Sequence, residues 1–317
     1  NREIMATHIY KAKDRDDWLA YRKRGIGSSE IATIVGLNPF ETPYQLWRRL
    51  KGIDAPKEQN FAMLAGHYLE DAVAKFWQDA TGREVIKASA GDFVAVNDAK
   101  EFLIASPDRT YWIPGLPRNN ENKGVLECKT TQATIDPDDL PRHWFCQVQW
   151  QLGVMELSEG SLAWLSSGRA FDYRDIAFAP DFYGWLVEEA ERFWTDHVKG
   201  DAEPTAINAA DILAKYTTHT EGLVKEVNEA TLSAYRQLRE CKARIKEEER
   251  LKDELEELIK LTFADAEAIS YNGEILATWK ASRPSNVFDS ARFKAEHPEL
   301  YNNYMITKPG SRRFLIK

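Results

Sequence analysis

The first 200 residues alternate short apolar runs with amphipathic helical patterns, which is typical of an α/β fold. The clearest helix covers residues 61–82, where Glu70 lies close to an apolar stripe formed by Leu69, Val73, Phe76 and Trp77. Two further apolar runs, 102–112 and 125–131, have the length of strands and flank a loop rich in proline and glycine. We therefore predict a mixed central sheet flanked by helices, with 102–112 as one strand ending at Asp108.

The composition changes near residue 200, which divides the chain. We predict a core over residues 1–200, a linker over residues 201–222 and a C-terminal accessory region over residues 223–317. Neither glycine nor proline occurs from Leu223 to Asn272. Apolar residues recur there at roughly helical spacing among many charged ones; they are Leu238, Cys241, Ile245, Leu251, Leu255 and Leu258. The pattern predicts a long amphipathic helix, or a pair of helices, with coiled-coil character.

The remainder of the accessory region mixes strand and helix signals. The Asn-Gly pair within residues 271–274 predicts a tight β-hairpin. Residues 289–304 predict a helix whose N-cap is Asp289 or Ser290. The final stretch, residues 311–317, predicts a last strand, so we expect an α+β accessory region around the long helix.

Composition limits the possible environments and partners of the chain. Hydrophobic residues make up 43% of the 317 residues, and no run approaches the roughly 20 apolar residues of a membrane helix. The three cysteines are far apart, which fits a reducing cytoplasm better than a disulfide framework or a zinc site. The net charge of −8 weighs against broad nonspecific binding to nucleic acid, although a local basic channel remains compatible with it.

Charged residues at the end of the predicted second strand suggest a catalytic site. Glu127 and Lys129 are two residues apart, so they project from the same face of a strand. Asp108 ends the neighbouring predicted strand, and Glu70 on the amphipathic helix could join them. Carboxylates grouped in this way suit a hard, oxygen-seeking cation such as magnesium, beside which a lysine can hold a water. By itself, however, a Glu-x-Lys pattern on a strand is most often a surface salt pair.

Two further stretches carry polar groups suited to a phosphate. Arg22 begins the basic run 22–24, and either Ser28 or Ser29 is expected to cap the helix that follows. Read separately, these are an ordinary cap and a solvated basic turn; together they favour phosphate binding. Gln147 and Gln151 are one helical turn apart and share a face, whereas Gln149 is expected on the polar outer face.

Five stretches in sequence resemble one family. The stretch DDWLAYRKRGIGSSEIATIVGLNPFETPYQLW at 16–47 is similar to the opening of lambda exonuclease and the YqaJ-type viral recombinase nucleases. The motifs GHYLED, SPD, LECKTT and FCQVQWQLGV follow in that family's order, and the resemblance covers about residues 16–195. The family belongs to the PD-(D/E)XK nuclease superfamily, so the resemblance implies a core like that of restriction endonucleases.

The resemblance also implies roles for particular residues. The matching catalytic residues are Glu70, Asp108, Glu127, Lys129 and Gln147. The expected metal ligands are Asp108, Glu127, Glu70 and the backbone carbonyl of Cys128. The matching pocket for a 5′-terminal phosphate consists of Arg22, Ser29 and Ser106. Lys129 would orient the attacking water, and Gln147 lies on a helix that covers the site.

As an activity, the resemblance implies a 5′→3′ exonuclease on linear double-stranded DNA. Such an enzyme would use two magnesium ions, with manganese as a substitute, and would leave a 3′ single strand for an annealing protein. A homotrimeric ring and a phage or prophage protein in the cytoplasm of a bacterial host are also implied. Two other interpretations remain open, namely a PD-(D/E)XK endonuclease or nickase and a noncatalytic DNA-end-binding protein.

Overall fold

The computed structural model describes residues 7–55, 60–86, 93–308 and 310–316. The chain forms two compact units, Asn1–Lys215 and Tyr216–Lys317, and the boundary falls inside the segment expected to be a linker. In the first unit the α-helices are α1 (Arg15–Arg22), α2 (Ser28–Ile34), α3 (Pro43–Leu50), α4 (Phe61–Thr81), α5 (Arg142–Met155), α6 (Pro180–Phe193) and α7 (Ala209–Lys215), and a π-helical turn, Trp194–Lys199, follows α6. Its strands are β1 (Thr7–Lys11), β2 (Val85–Ile86), β3 (Phe93–Asn97), β4 (Ile104–Ala105), β5 (Arg109–Trp112), β6 (Lys123–Thr131), β7 (Glu159–Ser166) and β8 (Ala170–Ala177).

A five-stranded mixed sheet in the order β2-β5-β6-β7-β8 forms the centre of the first unit. Only β6 and β7 run parallel among its neighbouring strands, and helix α5 makes the crossover between them. Helices cover both faces of the sheet, so the α/β class and the flanked central sheet predicted from the sequence are confirmed.

Alternation along β6 determines which helix each side chain meets. Val125 is fully buried in the cluster that contains Val148 and Leu152 of α5. Its neighbour Leu126 packs in a different cluster, with Val73 and Trp77 of α4. Because successive side chains of a strand point to opposite faces, residues 127 and 129 must lie on the α5 side.

The interval 102–112 was predicted as one strand, and this was wrong. Its first part, β4, joins β1 and β3 in a separate three-stranded sheet, whereas β5 belongs to the central sheet. Ser106 to Asp108 form the connection between the two sheets, so Asp108 lies just before β5 instead of at the end of a strand. The pairing of β5 with β6, with Arg109 opposite Leu126, nevertheless places Asp108 beside the predicted site.

A close backbone approach joins the α1–α2 connection to β4. The Ile26 amide donates to the Phe102 carbonyl over 2.7 Å, and the Ile104 amide donates to the Ile26 carbonyl over 3.1 Å. A Cβ atom on Gly25 would lie 2.4 Å from the Phe102 carbonyl oxygen, which is backbone and cannot move aside locally. Gly25 is therefore required for this contact, which holds Arg22 and Ser29 beside the strand leading to Asp108.

Gly25→Ala is expected to lower the free energy of unfolding by about 1–3 kcal/mol, because the added methyl group overpacks a backbone contact. The matched control is Gly184→Ala in helix α6, where a Cβ would meet no atom within 4 Å. An alanine in a helix interior is expected to be neutral or stabilising by up to about 1 kcal/mol. Chemical denaturation of both variants checks this, and equal stability of the two would contradict it.

The amphipathic helix predicted over residues 61–82 is α4, but only half of its expected apolar stripe is buried. Val73 and Trp77 are fully buried, and the Trp77 indole donates to the Ser161 hydroxyl over 2.8 Å. Leu69 and Phe76 are exposed. Helical spacing identifies a broad apolar face without showing how much of it the sheet covers.

In the second unit the elements are α8 (Glu229–Leu261), β9 (Ala268–Tyr271), β10 (Glu274–Thr278), α9 (Ser290–Glu296) and α10 (Pro298–Asn303). Strands β9 and β10 pair as an antiparallel hairpin around the predicted Asn-Gly turn. Asp289 caps α9, as the sequence suggested. The prediction of one helix over residues 289–304 was wrong, because His297 separates α9 from α10 and Pro298 begins the second helix. Residues 311–316 form no strand, contrary to the prediction, and Lys317 lies outside the described residues.

The described residues were searched for a helix that could cross a membrane. None of the helices found there combines the length and the apolar character that a bilayer crossing requires.

Candidate active site

Glu127 and Lys129 form an ion pair on the α5 side of β6, with the carboxylate buried and the lysine half-buried. The Lys129 ammonium donates to Glu127 Oε1 over 2.6 Å and to Gln147 Oε1 over 2.9 Å. Glu127 is only 1% exposed, and its side chain also accepts from Gln147 Nε2 over 2.5 Å. The pair is therefore unlike the common surface Glu-x-Lys, since a buried carboxylate and a half-buried ammonium are held by a network from a neighbouring helix.

Helix α5 contributes a second glutamine to the same carboxylate. Gln151 is fully buried, and its Nε2 donates to Glu127 Oε2 over 2.7 Å and to the Ser28 hydroxyl over 3.3 Å. Its Oε1 is buried without a hydrogen-bond partner among the described residues. Gln147 and Gln151 thus fix one oxygen of Glu127 each, and Gln151 also links the site to the start of α2.

Gln149 was expected on an outer polar face, and this was wrong. The residue is fully buried, its Nε2 donates to the Ala177 carbonyl over 2.8 Å, and its Oε1 accepts from the Ala179 amide over 2.9 Å. It therefore ties α5 to the turn between β8 and α6. The error arose because the polar character of a side chain does not distinguish an exposed position from one that satisfies buried backbone groups.

Asp108 lies beside β6, and the backbone of β6 orients its carboxylate. Its Oδ2 accepts from the Cys128 amide over 2.8 Å. Burial, and then the negative charge of Glu127, raise the pKa of Asp108 well above its usual range. The Arg109 side chain contacts both the Asp108 carbonyl and the Asp71 carboxylate of α4, which secures this connection against the helix. The negative charge of Glu127 therefore opposes the ionisation of Asp108, and Lys129 offsets only part of that effect.

Glu70 approaches from α4 as the third carboxylate. Burial raises its pKa, an effect opposed by His67, whose Nδ1 lies 3.4 Å from Glu70 Oε1. The other oxygen, Oε2, is buried and has no hydrogen-bond partner among the described residues. An unpaired buried carboxylate oxygen is costly, so this atom is an available acceptor or ligand.

The donor set fits a hard divalent cation in its chemistry. All three side chains offer carboxylate oxygens, which magnesium and manganese prefer, and the mutual effect of their charges would be relieved by a cation. In the arrangement shown by the described residues, no three His, Cys, Asp or Glu side chains converge closely enough to hold a metal ion. Binding would therefore require these carboxylates to turn toward a common point.

The Cys128 side chain has a packing role. It lies among the apolar residues between the sheet and α4, and burial raises the pKa of its thiol well above the usual range. The protonated thiol is a poor metal ligand because the thiolate is the binding form. Any contribution of Cys128 to a metal site is thus limited to its backbone carbonyl, the group that the family resemblance implies.

Lys129 retains its proton in this environment. Burial lowers its pKa, but the negative charges of Glu127 and Asp108 outweigh that effect and raise the pKa above its ordinary value. A lysine that stays charged near pH 7 can donate hydrogen bonds and hold a water or an anionic oxygen, but it cannot accept a proton. The geometry thus favours orientation of a water over its deprotonation by Lys129.

Arg22 and Ser29 meet at the α1–α2 connection. The Arg22 guanidinium donates to the Ser29 hydroxyl over 3.1 Å and lies 4.6 Å from the centre of the Trp18 ring. The N-cap of α2 is Gly27, so the expectation that Ser28 or Ser29 would cap this helix was wrong. The Ser29 hydroxyl itself donates to Glu30 Oε2 over 3.0 Å. Arg22 is thus the donor suited to an anion, and Ser29 would have to leave Glu30 to join it.

The Glu30 carboxylate contacts both Arg22 and Ser29. Burial opposes its ionisation, but the Arg22 and Arg49 guanidiniums outweigh that effect and the pKa of Glu30 lies below its usual range. Glu30 Oε2 is 3.6 Å from Arg22, and Oε1 is 3.4 Å from Arg49, which also pairs with Glu41. The Arg49 guanidinium is thus engaged by two carboxylates of the protein itself.

Ser106 is not joined to Arg22 or Ser29 by any contact among the described residues. Its hydroxyl donates to the Phe93 carbonyl over 2.9 Å. Its position two residues before Asp108 puts it on the segment between the two sheets, next to the strand that pairs with the Ile26 backbone. A phosphate contact by Ser106 would require its hydroxyl to leave that carbonyl.

Gln151→Met is expected to reduce kcat about tenfold, because Glu127 Oε2 would lose its buried donor while the side-chain volume stays similar. Gln149→Met is the matched control, since it also removes two buried hydrogen bonds on the same helix but touches no site residue. Both variants should lose about 1–3 kcal/mol of stability. Equal kcat values for the two, measured on the folded fraction, would contradict a role of Gln151 in the site.

Comparison with known proteins identifies the family of this chain. The chain belongs to the family of YqaJ-like viral recombinase domains, whose family model matches residues 17–158. It is similar over nearly its whole length to the protein called Uncharacterized protein YqaJ from Bacillus subtilis (strain 168), with 31% identity over 326 residues that cover 99% of this chain and 97% of that protein. The family resemblance predicted from the sequence motifs is therefore confirmed.

Two solved structures are also similar to part of this chain. The alkaline exonuclease LHK-Exo from Laribacter hongkongensis has a TM-score of 0.46 and 18% identity, covering 57% of this chain and 91% of that chain. A phage related exonuclease from Haemophilus somnus 129PT has a TM-score of 0.40 and 10% identity, covering 55% of this chain and 94% of that chain.

Proposed function

We propose that this protein is a nuclease of DNA recombination that digests linear double-stranded DNA in the 5′→3′ direction from 5′-phosphorylated ends. The observation that carries the proposal is the Glu127–Lys129 pair with its buried carboxylate, which two glutamines of α5 hold beside Asp108. Removing a carboxylate from water costs free energy, and groups of buried carboxylates of this kind cluster at functional sites. Membership of a viral recombinase family supplies the biological context.

The residues of the site would have separate roles in the reaction, namely metal binding and orientation of the attacking water. Glu70, Asp108, Glu127 and the Cys128 carbonyl would hold magnesium or manganese. Two such ions, when bound, supply positive charge for the attacking and leaving oxygens of a phosphodiester. Lys129 stays protonated and orients the attacking water, while Gln147 holds Lys129 and Glu127 in one geometry. This division requires no side chain to form a covalent intermediate.

Residues of α1 and α2 would select the end of the DNA. Arg22 would donate to the 5′-terminal phosphate. Ser29 and Ser106 would join it after release from the Glu30 carboxylate and the Phe93 carbonyl, respectively. An arginine fork binds a terminal phosphate with two hydrogen bonds and so favours a phosphorylated over a hydroxyl end. Repeated cleavage at such an end would leave a 3′ single strand for an annealing protein. We extend the proposal to a homotrimeric ring in a phage- or prophage-derived protein.

Linear and covalently closed duplexes of the same sequence test this reaction class with magnesium present. The proposal expects complete degradation of the linear form and no cut in the closed form. Cuts in the closed form would replace it with the endonuclease or nickase interpretation. Retained binding of linear ends without any cleavage would support the noncatalytic interpretation.

Magnesium is expected to raise the unfolding temperature, because a ligand that binds only the folded state stabilises it by about 1.4 kcal/mol at ten times its Kd. Glu70→Gln should shrink this shift and raise the metal-free unfolding temperature, since it removes a buried carboxylate with a raised pKa. The control is Asp79→Asn on the same helix, an exposed carboxylate paired with Lys75. Identical magnesium shifts in the two variants would contradict a metal role for Glu70.

A further inference from the structure

Helix α8 in the second unit has an apolar face that nothing described in the chain covers. The helix has 33 residues and therefore extends about 50 Å, and none of its residues is buried. Ion pairs one turn apart, such as Arg250–Glu254, lie along the helix. Because they are exposed, they contribute only a little to the stability of the helix. A long helix in water normally depends on packing of an apolar face, which points to a partner for α8.

The apolar face follows a heptad pattern with two charged residues at its centre. In heptad terms, Leu238, Ile245, Lys252 and Ile259 occupy the a positions, whereas Cys241, Glu248, Leu255 and Thr262 occupy the d positions. The apolar members of this seam are partly or clearly exposed, with Ile245 at 51%, Leu255 at 50% and Ile259 at 46%. Such a seam is the surface that a second helix covers.

The two charged residues of the seam, Glu248 and Lys252, indicate which helix can cover it. We propose that α8 pairs with α8 of a second copy of this chain in antiparallel orientation. In one register, where a positions face d positions, Glu248 of each copy faces Lys252 of the other. The same register places Ile245 opposite Leu255 and Cys241 opposite Ile259. The seam therefore satisfies both its apolar and its charged residues at once.

Other arrangements of the same seam leave the charged residues badly paired. In a parallel pair, each a position and each d position meets its own counterpart, so Glu248 would face Glu248 and Lys252 would face Lys252. A shift of the antiparallel pair by one heptad would place Lys252 against Cys241 and Glu248 against Ile245. Glu248 has no hydrogen bond or ion pair to another described residue of its own chain. Lys252 lies 3.1 Å from Asp253 and 3.7 Å from Glu256 on its own helix, but these are surface pairs and its side chain is 62% exposed. The charges thus specify both orientation and register.

The flanking positions agree with this pairing in most places. Lys242 would face Glu256 across the pair, and Leu251 would meet its own copy at the symmetry axis, extending the apolar contact. Glu249 would also meet its own copy, but at the solvent-exposed rim, where like charges are screened. The paired segment, residues 238–262, is about 36 Å long. The inference does not depend on the proposed nuclease activity, and with a homotrimeric ring the two-fold pairing would join copies that belong to different rings.

Cysteine cross-linking of the full chain tests the register directly. Cys128 and Cys146 are buried, so Cys241 is the available thiol. In the proposed register, Ile259→Cys places a new thiol opposite Cys241 of the second copy, and mild oxidation with diamide should yield mostly disulfide-linked dimer. The off-seam control Glu257→Cys should yield at least tenfold less. Equal yields from the two variants would overturn the proposal, as would dimer formation by the unsubstituted chain, which a parallel Cys241–Cys241 contact predicts.

Charge exchange tests the orientation in the Ile259→Cys background. Glu248→Lys and Lys252→Glu should each reduce cross-linking about tenfold, because each places like charges opposite each other. The double exchange should restore it, since the charges face each other again with roles reversed. Lys246→Glu, off the seam, is the control for a change of charge and should have no effect. Failure of the double exchange to restore dimers would contradict the antiparallel register.

Discussion

Glu127→Gln should reduce kcat on linear duplex DNA by at least about 10³-fold. The carboxylate is the shared acceptor for Lys129, Gln147 and Gln151, and the proposal makes it a metal ligand. An amide at this position removes the negative charge that a cation needs and leaves the Lys129 ammonium without its partner. Loss of one preorganised electrostatic group in an active site commonly costs 10²–10³ in rate, and loss of a metal ligand adds to it.

Asp211→Asn is the control for this substitution, because it makes the same chemical change at a buried carboxylate outside the site. Asp211 is fully buried and accepts from the Thr42 hydroxyl over 2.8 Å and the Ile207 amide over 3.0 Å. It should lose stability yet keep a kcat close to that of the unsubstituted protein. Steady-state cleavage, thermal unfolding and DNA binding should be measured together. A kcat of Glu127→Gln within tenfold of the control would contradict the assignment.

Arg22→Ala should lower kcat/KM on 5′-phosphorylated duplex about 10- to 100-fold and should change it much less on 5′-hydroxyl duplex. The physical reason is the loss of charge-assisted hydrogen bonds to the terminal phosphate, worth about 1.5–3 kcal/mol. Glu30 retains Arg49 as a cationic partner, so the substitution leaves no buried carboxylate uncompensated. Arg22→Lys should be intermediate, because it keeps the charge and loses the planar fork.

Arg24→Ala is the matched control, since it removes an arginine from the same basic run. Arg24 is exposed and lies 5.1 Å from the centre of the Tyr21 ring, away from Ser29 and Glu30 among the contacts described. The ratio of kcat/KM for the two kinds of end should be unchanged in this variant. A similar loss on both ends in Arg22→Ala would indicate general binding of the DNA backbone and would contradict a pocket for the terminal phosphate.

Local sequence patterns were sufficient for the elements that carry the site. The period of two along β6 put Glu127 and Lys129 on one face, and the helical period of 61–82 predicted α4 with Glu70 near the sheet. The spacing of Gln147 and Gln151 also predicted their common face. These features depend on neighbours within one turn or one strand, which the sequence determines directly.

Features that depend on the tertiary contacts of one element with another could not be predicted. The burial of Gln149 depends on backbone groups about 30 residues away, and the link from Gln151 to Ser28 spans more than 120 residues. The division of 102–112 between two sheets depends on which neighbour each strand finds. A terminal run such as 311–316 has apolar residues of strand type, but in the described structure it pairs with no strand.

The measurement that tests the central claim most directly is product release from linear duplex labelled at either the 5′ or the 3′ end, with magnesium and with 5′-phosphate or 5′-hydroxyl termini. The account predicts early release of the 5′ label as mononucleotide, faster from phosphorylated ends, while the 3′ label stays on a long single strand. Early release of the 3′ label, or internal fragments without any preference for an end, would contradict it.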